Sequence, residues 1–163
     1  MNDRDMLDWS GIAELLGDRF TTSRAMREQY ARGESFPMSY PPDAVAFPKS
    51  TEEVSAIARY CHARNIPMVA SGAATSLEGN IAAVHGGLAI NFSQMDRILS
   101  VHDDDLDCVI EAGVTREQLN IHLRDRGLFF PIDPGANASL GGMHRPAPPA
   151  PTRCATVRCR AMF

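Results

Sequence analysis

The run Met68-Val69-Ala70, followed by Ser71-Gly72-Ala73-Ala74-Thr75-Ser76-Leu77-Glu78-Gly79-Asn80, sets a short apolar segment directly before a loop made almost wholly of small side chains. Three apolar residues are enough for a buried strand. Small residues after a strand let backbone N–H groups approach a ligand with no Cβ in the way, and a curved run of such groups makes a cavity for phosphate oxygens. Gly72, Gly79 and the hydroxyls of Thr75 and Ser76 suit that role. The loop is neither G-x-G-x-x-G nor a Walker loop, since the chain's one lysine is Lys49. A plain tight turn is the alternative reading. A second loop, Pro131 to Gly142, has Pro134-Gly135 and Gly141-Gly142, and two such loops can clamp the two ends of an elongated ligand.

Outward from the first loop, Ser50 and Glu53 fit a capping box, and Val54, Ile57, Ala58 and Cys61 then fall on one helical face. Pro67 restricts the residue before it, so the helix should stop near Asn65. Leu88 to Phe92 and Cys108 to Ala112 read as further strands. Thr115 and Gln118 form a second capping box, whose helix turns Leu119 and Leu123 inward and ends at Gly127. On the N-terminal side, residues 4–31 read as a helical lead-in, with Trp9, Ile12, Leu15 and Leu16 at helical spacing. Residues 36–48 hold four prolines and must run extended or turn, with Val45, Ala46 and Phe47 as a short strand. This alternation favours a mixed α/β or α+β domain.

The 163 residues suit one domain, and their 44% hydrophobic and 22% charged content excludes a disordered chain or a coiled coil. The acidic N-terminus lacks a signal-peptide pattern, and no apolar run reaches membrane-spanning length. The chain is expected in the cytoplasm, or peripherally at the inner face of the membrane. The last twenty residues hold four arginines and no acid, so residues 1–143 have twelve basic and twenty acidic side chains, a net of −8. Such a body argues against nucleic acid as a partner. Cys61 and Cys108 read as small buried hydrophobes, the five histidines lack metal-ligand spacing, and Asp103-Asp104-Asp105 reads as a solvated turn between strands. No metal site is expected.

Four segments in order, Pro48 to Val54, ASGAATSLEGN, EAGVTREQLN and GLFFPIDPGANASLGGM, resemble the PCMH-type FAD-binding domain of FAD-linked oxidases. The likeness is greatest to the branch of D-lactate dehydrogenase (cytochrome) and the glycolate oxidase flavin subunit. It covers roughly residues 38–143, with 1–37 as the helical lead-in and 144–163 as a tail. The resemblance implies an α+β fold, with a small parallel sheet flanked by helices and the start of an antiparallel subdomain. It implies FAD as cofactor, its pyrophosphate wrapped by Ser71, Gly72, Ala73, Ala74, Thr75, Ser76, Leu77, Glu78, Gly79 and Asn80. It places Pro134, Gly135, Ala136, Ser139, Gly141 and Gly142 beside the flavin. Glu78 is expected to point away from the phosphates or to cap a neighbouring N–H. The family loop usually has glycine where this chain has Ala74, and a positive φ there costs alanine on the order of 1 kcal/mol.

For the intact parent, the resemblance implies oxidation of a 2-hydroxy acid, D-lactate or glycolate, with hydride passing from the substrate Cα to the flavin and a base taking the hydroxyl proton. Electrons then go to a cytochrome, a quinone or a partner subunit. No catalytic residue is assigned within this chain, which is expected to lack turnover alone. A non-catalytic FAD- or nucleotide-binding module, and an inert remnant that does not fold stably, are the other readings.

The tail, HRPAPPAPTRCATVRCRAMF, breaks with this pattern and is expected to be unstructured, because prolines 146, 148, 149 and 151 interrupt regular pairing. Read from the third base of the His144 codon, with degenerate bases free, it can encode Ser-Thr-Arg-Ala-Ser-Gly-Thr-Asn-Ala-Val-Arg-Tyr-Gly-Thr-Met. That string closely resembles the family's next flavin-contacting segment. One base lost just after the Met143 codon, in the gene or in its sequencing, accounts for it. Resequencing the locus should reveal a one-base lesion at the Met143–His144 junction, and a junction that admits none contradicts the frameshift.

Overall fold

The computed structural model describes residues 7–31, 38–75, 79–133, 135–143, 155–158 and 160–161, the last two segments by their backbone alone. The chain divides into two compact units, Met1–Gln94 and Met95–Phe163. The fold class is the expected α+β, with a parallel ladder in the first unit and antiparallel pairs in the second. Among the described residues no helix is long and apolar enough to cross a membrane.

In the first unit the lead-in is not one helical stretch. It is helix α1 (Ser10–Leu16), a 3-10 turn over Gly17–Arg19, strand β1 (Phe20–Thr21) and helix α2 (Arg24–Gln29). Gly17 takes φ +58°, which turns the chain out of α1, and Phe20-Thr21 then pair antiparallel with β2 (Ala44–Ala46). α1 buries Ile12 and Leu16 but leaves Leu15 40% exposed.

Helix α3 (Thr51–Ala63) starts where expected, with Ser50 Oγ accepting from Glu53 N at 3.3 Å. The reciprocal half of the capping box is replaced. The Glu53 carboxylate accepts from Lys49 N at 2.7 Å and from both terminal nitrogens of Arg19 at 2.6 and 2.7 Å. Ile57 and Cys61 are buried on the inner face of α3. Burial pushes the Cys61 thiol up to about 11, so it stays protonated as a packing group.

Strands β3 (Met68–Ser71) and β4 (Leu88–Asn91) complete a four-stranded sheet in the order β1-β2-β4-β3, with β2 and β3 both parallel to β4. β2 and β4 are buried throughout. β3 is a strand, as expected, but not a buried one. It lies at the sheet edge with Met68 42% exposed, because nothing among the described residues pairs with its outer side. Gly87 is the steric condition for this ladder. At φ +84° it packs on Pro67, whose carbonyl any Cβ would strike, and that carbonyl accepts from Leu88 N at 2.8 Å.

In the second unit, β5 (Ile98–His102) and β6 (Asp107–Ile110) form an antiparallel hairpin, and Asp103 to Asp105 lie in its exposed turn, as expected. Asp103 pairs with Arg126 at 3.0 Å. β5 itself was not anticipated; its irregular burial and the register shift between Ile98 and Ser100 blur the alternation that marks a strand. Helix α4 (Arg116–Leu123) has the full Thr115–Gln118 capping box, and Gly127 follows at φ +66° in the left-handed C-terminal position. Leu119 and Leu123 pack with Cys108, Ile110, Val114, Leu128, Phe130 and Leu140. The chain continues through β7 (Leu128–Phe129) to a short helix, α5 (Leu140–Met143), where an irregular loop was expected.

The tail departs from the expectation of an unstructured segment. β8 (Ala155–Arg158) pairs antiparallel with β6, and β9 (Arg160–Ala161) with β7. The prolines all precede these strands, and Ala155-Thr156-Val157-Arg158, with two β-branched residues, meets the backbone groups of β6 that β5 leaves unpaired.

The half-buried Arg19–Glu53 fork ties the β1 end of the lead-in to α3. The Arg19 hydrogen bonds hold the Glu53 carboxyl below its ordinary value of 4.5. Its stabilising effect is therefore present above that value and is lost as pH falls and the carboxylate protonates. Glu53→Gln should lower the unfolding free energy at pH 7 by about 1–2 kcal/mol. In urea titrations the gap from the parent should close as the pH drops below 4.5; a gap that persists in acid contradicts the assignment.

Candidate functional site

Strands β3 and β4 end side by side at Ser71 and Asn91, the last pair of their parallel ladder. In open sheets of parallel strands, ligands bind beyond the carboxyl ends, because the loops there carry N–H groups free of the ladder. Both end residues are polar and buried. Asn91 Oδ1 accepts from Ser93 N at 2.8 Å. Ser71 is 1% exposed and its Oγ has no hydrogen-bond partner among the described residues. A buried hydroxyl left unpaired costs about 1–3 kcal/mol, so its presence at a strand end calls for a ligand atom.

Beyond Ser71, Ala74 takes φ +59° and Gly79 φ +70°, left-handed backbone of the kind from which anion-binding nests of N–H groups are built. Gly72, Ala74 and Thr75 are half-buried, whereas Ala73 and Asn80 are exposed. Ser76, Leu77 and Glu78 lie outside the described residues, and with them the expected orientation of Glu78. Asn91 was missed in the sequence, although the polar break ending Leu88-Ala89-Ile90-Asn91 marks a strand that stops at a polar edge.

In the second unit, the second loop is more committed to its own structure than its composition suggests. Gly135, at φ +79°, donates its N–H to Asp133 Oδ1 at 2.9 Å. Ser139 is buried and bridges to Thr115. Gly141 donates to Ala112 O at 3.0 Å and approaches it so closely that a Cβ would sit 2.5 Å from that oxygen. Gly142 donates to Ser139 O at 3.0 Å. The Gly141 N–H is therefore engaged by the chain just after β6 and the Gly142 N–H by the turn that opens α5, and Gly141 is small because it packs on Ala112. Ala136 is half-buried, and Pro134 lies outside the described residues.

The first loop fits a diphosphate-bearing cofactor such as FAD: a buried unpaired hydroxyl, left-handed backbone and small side chains past a parallel strand. With no lysine or arginine of its own, the loop would hold such a group's phosphate oxygens through amides and hydroxyls.

The chain matches the family model described as an FAD binding domain over residues 42–145. It is 45% identical over 135 residues to the probable mitochondrial D-lactate dehydrogenase of Danio rerio, an alignment that covers 82% of this chain and 27% of that protein. It is 42% identical over 138 residues to the mitochondrial D-lactate dehydrogenase (cytochrome) of Arabidopsis thaliana, covering 82% and 24%. Against the glycolate oxidase subunit GlcD of Bacillus subtilis (strain 168), identity is 31% over 127 residues, covering 77% and 27%. The chain thus spans about a quarter of the length of these relatives. Among solved structures it superposes on alkyldihydroxyacetonephosphate synthase with a TM-score of 0.75 at 22% identity, over 83% of this chain and 31% of that one. That likeness concerns the fold.

Ala74 at φ +59° carries the strain that a Cβ imposes in the left-handed region. Replacing it with glycine should raise the unfolding free energy by about 0.5–1 kcal/mol, despite the greater freedom glycine gives the unfolded chain. Chemical denaturation measures this; a destabilised Ala74→Gly chain contradicts the geometry.

Proposed function

Because the chain belongs to the FAD binding domain family, we propose that it holds FAD as the nucleotide-binding part of a flavin-dependent 2-hydroxy-acid dehydrogenase that converts D-lactate or glycolate to the 2-oxo acid. The unpaired buried hydroxyl of Ser71, at the carboxyl end of a parallel strand, is the observation that carries the cofactor reading. The substrate class is supported by relatives named D-lactate dehydrogenase and glycolate oxidase subunit.

In this reading, Ser71 to Asn80 wrap the diphosphate. Ser71 donates its hydroxyl proton to a phosphate oxygen, and Thr75 and Ser76 add hydroxyls. Gly72 lets the backbone approach without a side chain, and the left-handed turns at Ala74 and Gly79 curve the amides around the anion. Pro134, Gly135, Ala136, Ser139, Gly141 and Gly142 lie along the flavin; Gly141 and Gly142 contribute their bare Cα faces, since their N–H groups bond within the fold. When bound, FAD supplies the two-electron oxidation, accepting hydride from the substrate Cα. A cytochrome, quinone or partner subunit receives the electrons. The base that takes the hydroxyl proton is not assigned to any residue of this chain, so the chain alone is expected to bind FAD without turnover. The cytoplasm, or the inner face of the membrane, is its proposed location.

Titration of FAD with the full chain, followed by flavin fluorescence, should show saturable quenching. Gly72→Val should abolish it, because the added methyls occupy the space given to the phosphates. Adding D-lactate or glycolate with an artificial electron acceptor should give no turnover above a no-protein control. Unchanged FAD affinity in Gly72→Val contradicts the loop assignment, and turnover contradicts the reading of a binding part without its base.

A further inference from the structure

The second loop is built against the first turn of α4, and every contact lies within the second unit. The opening N–H groups of a helix have no partner inside it. Arg116 N donates to Ala138 O at 3.1 Å, and Glu117 N to Asn137 Oδ1 at 3.2 Å, so the loop caps the helix. The helix answers through side chains. Glu117 Oε2 accepts from Asn137 Nδ2 at 3.0 Å, and Arg116 Nη1 lies 3.3 Å from Asp133 Oδ2, while the other oxygen of Asp133 accepts from Gly135 N. Thr115 and Ser139 bridge through their backbones at the end of the same run.

We propose that Arg116 and Glu117 are positioning residues that grip Asp133, Asn137 and Ala138 and so hold the second loop in the shape that meets FAD. The proposal rests on the FAD-binding reading above and extends it to residues outside both loops. Stability alone accounts poorly for these side chains. The Asp133 carboxylate is 61% exposed, and exposed ion pairs stabilise folds little. Arg116 also leaves its buried Nε without a partner among the described residues, a cost that a purely stabilising residue would avoid. What the contacts fix is the path of a glycine-containing loop, which otherwise would have to be ordered when ligand binds.

The test uses the full 163-residue chain. Arg116→Ala and Asn137→Ala remove the two grips, Glu117→Gln keeps an acceptor for Asn137, and Asp133→Asn keeps the acceptor for Gly135 while removing the ion pair. Deuterium uptake by peptides covering 133–139 is measured without FAD, and FAD affinity by flavin fluorescence. Arg116→Ala, Asn137→Ala and Asp133→Asn should each speed uptake in those peptides and weaken FAD binding about three- to tenfold, the effect of losing preorganisation. Melting temperatures should stay within about 3 °C of the parent. Glu117→Gln should match the parent in both readouts. Unchanged uptake and affinity in the two alanine variants of a chain that binds FAD overturn the grip alone. Failure of the parent chain to bind FAD overturns the functional reading, and with it this role for the grip.

Discussion

A strand buried along its whole length must find backbone partners on both edges, and β4 is that strand in the first unit. Leu88 to Asn91 are covered on both faces, so each peptide group there must bond to β2 or β3, since water cannot serve it. α3 joins β2 to β3 and carries the chain back, so those two strands run the same way, and β4 lies between them parallel to both. Gly87 makes the close approach possible at the start of the ladder, and Ser71 beside Asn91 is where it ends. The candidate site is the consequence. Parallel strands that stop together leave their last polar groups and the following loop facing the same end of the sheet.

The two loops gain their small residues for different reasons. In the first, Ala74 and Gly79 take left-handed backbone beyond the strand, and Ser71 keeps a buried hydroxyl without a partner among the described residues. In the second, Gly141 is small because Ala112 lies against it, and Gly135 closes a short turn onto Asp133. Glycine richness alone therefore does not mark a ligand contact. A buried hydroxyl within the loop's own strand end, left without a partner among the described residues as at Ser71, separates the two loops more sharply than composition does.

Elements fixed by local chemistry were legible in the sequence. Thr115 and Gln118 exchange both bonds of a capping box, Gly127 takes the left-handed end, and Ser50 caps α3 as its spacing implies. What depended on distant partners was not. The Glu53 side chain is drawn to Arg19, thirty-four residues earlier in the chain, so the second half of its box does not form. β1 was hidden within a helical pattern because it exists only by pairing with β2, and β8 and β9 because open strand edges recruit the tail. β3 reads as buried from Met68-Val69-Ala70, yet an apolar run does not disclose that a strand lies at an edge. Within the site, the loop was found from its small residues and Asn91 was not, since its place beside Ser71 is a matter of register.

The central claim is that the loop beginning at Ser71 holds the diphosphate of FAD. Phosphorus NMR of FAD, recorded with the chain in excess, observes those two phosphorus nuclei directly. The account predicts that both resonances shift and broaden with the parent chain and return to their free positions when Gly72→Val replaces it. Diphosphate resonances that stay at their free positions with excess parent chain would contradict it.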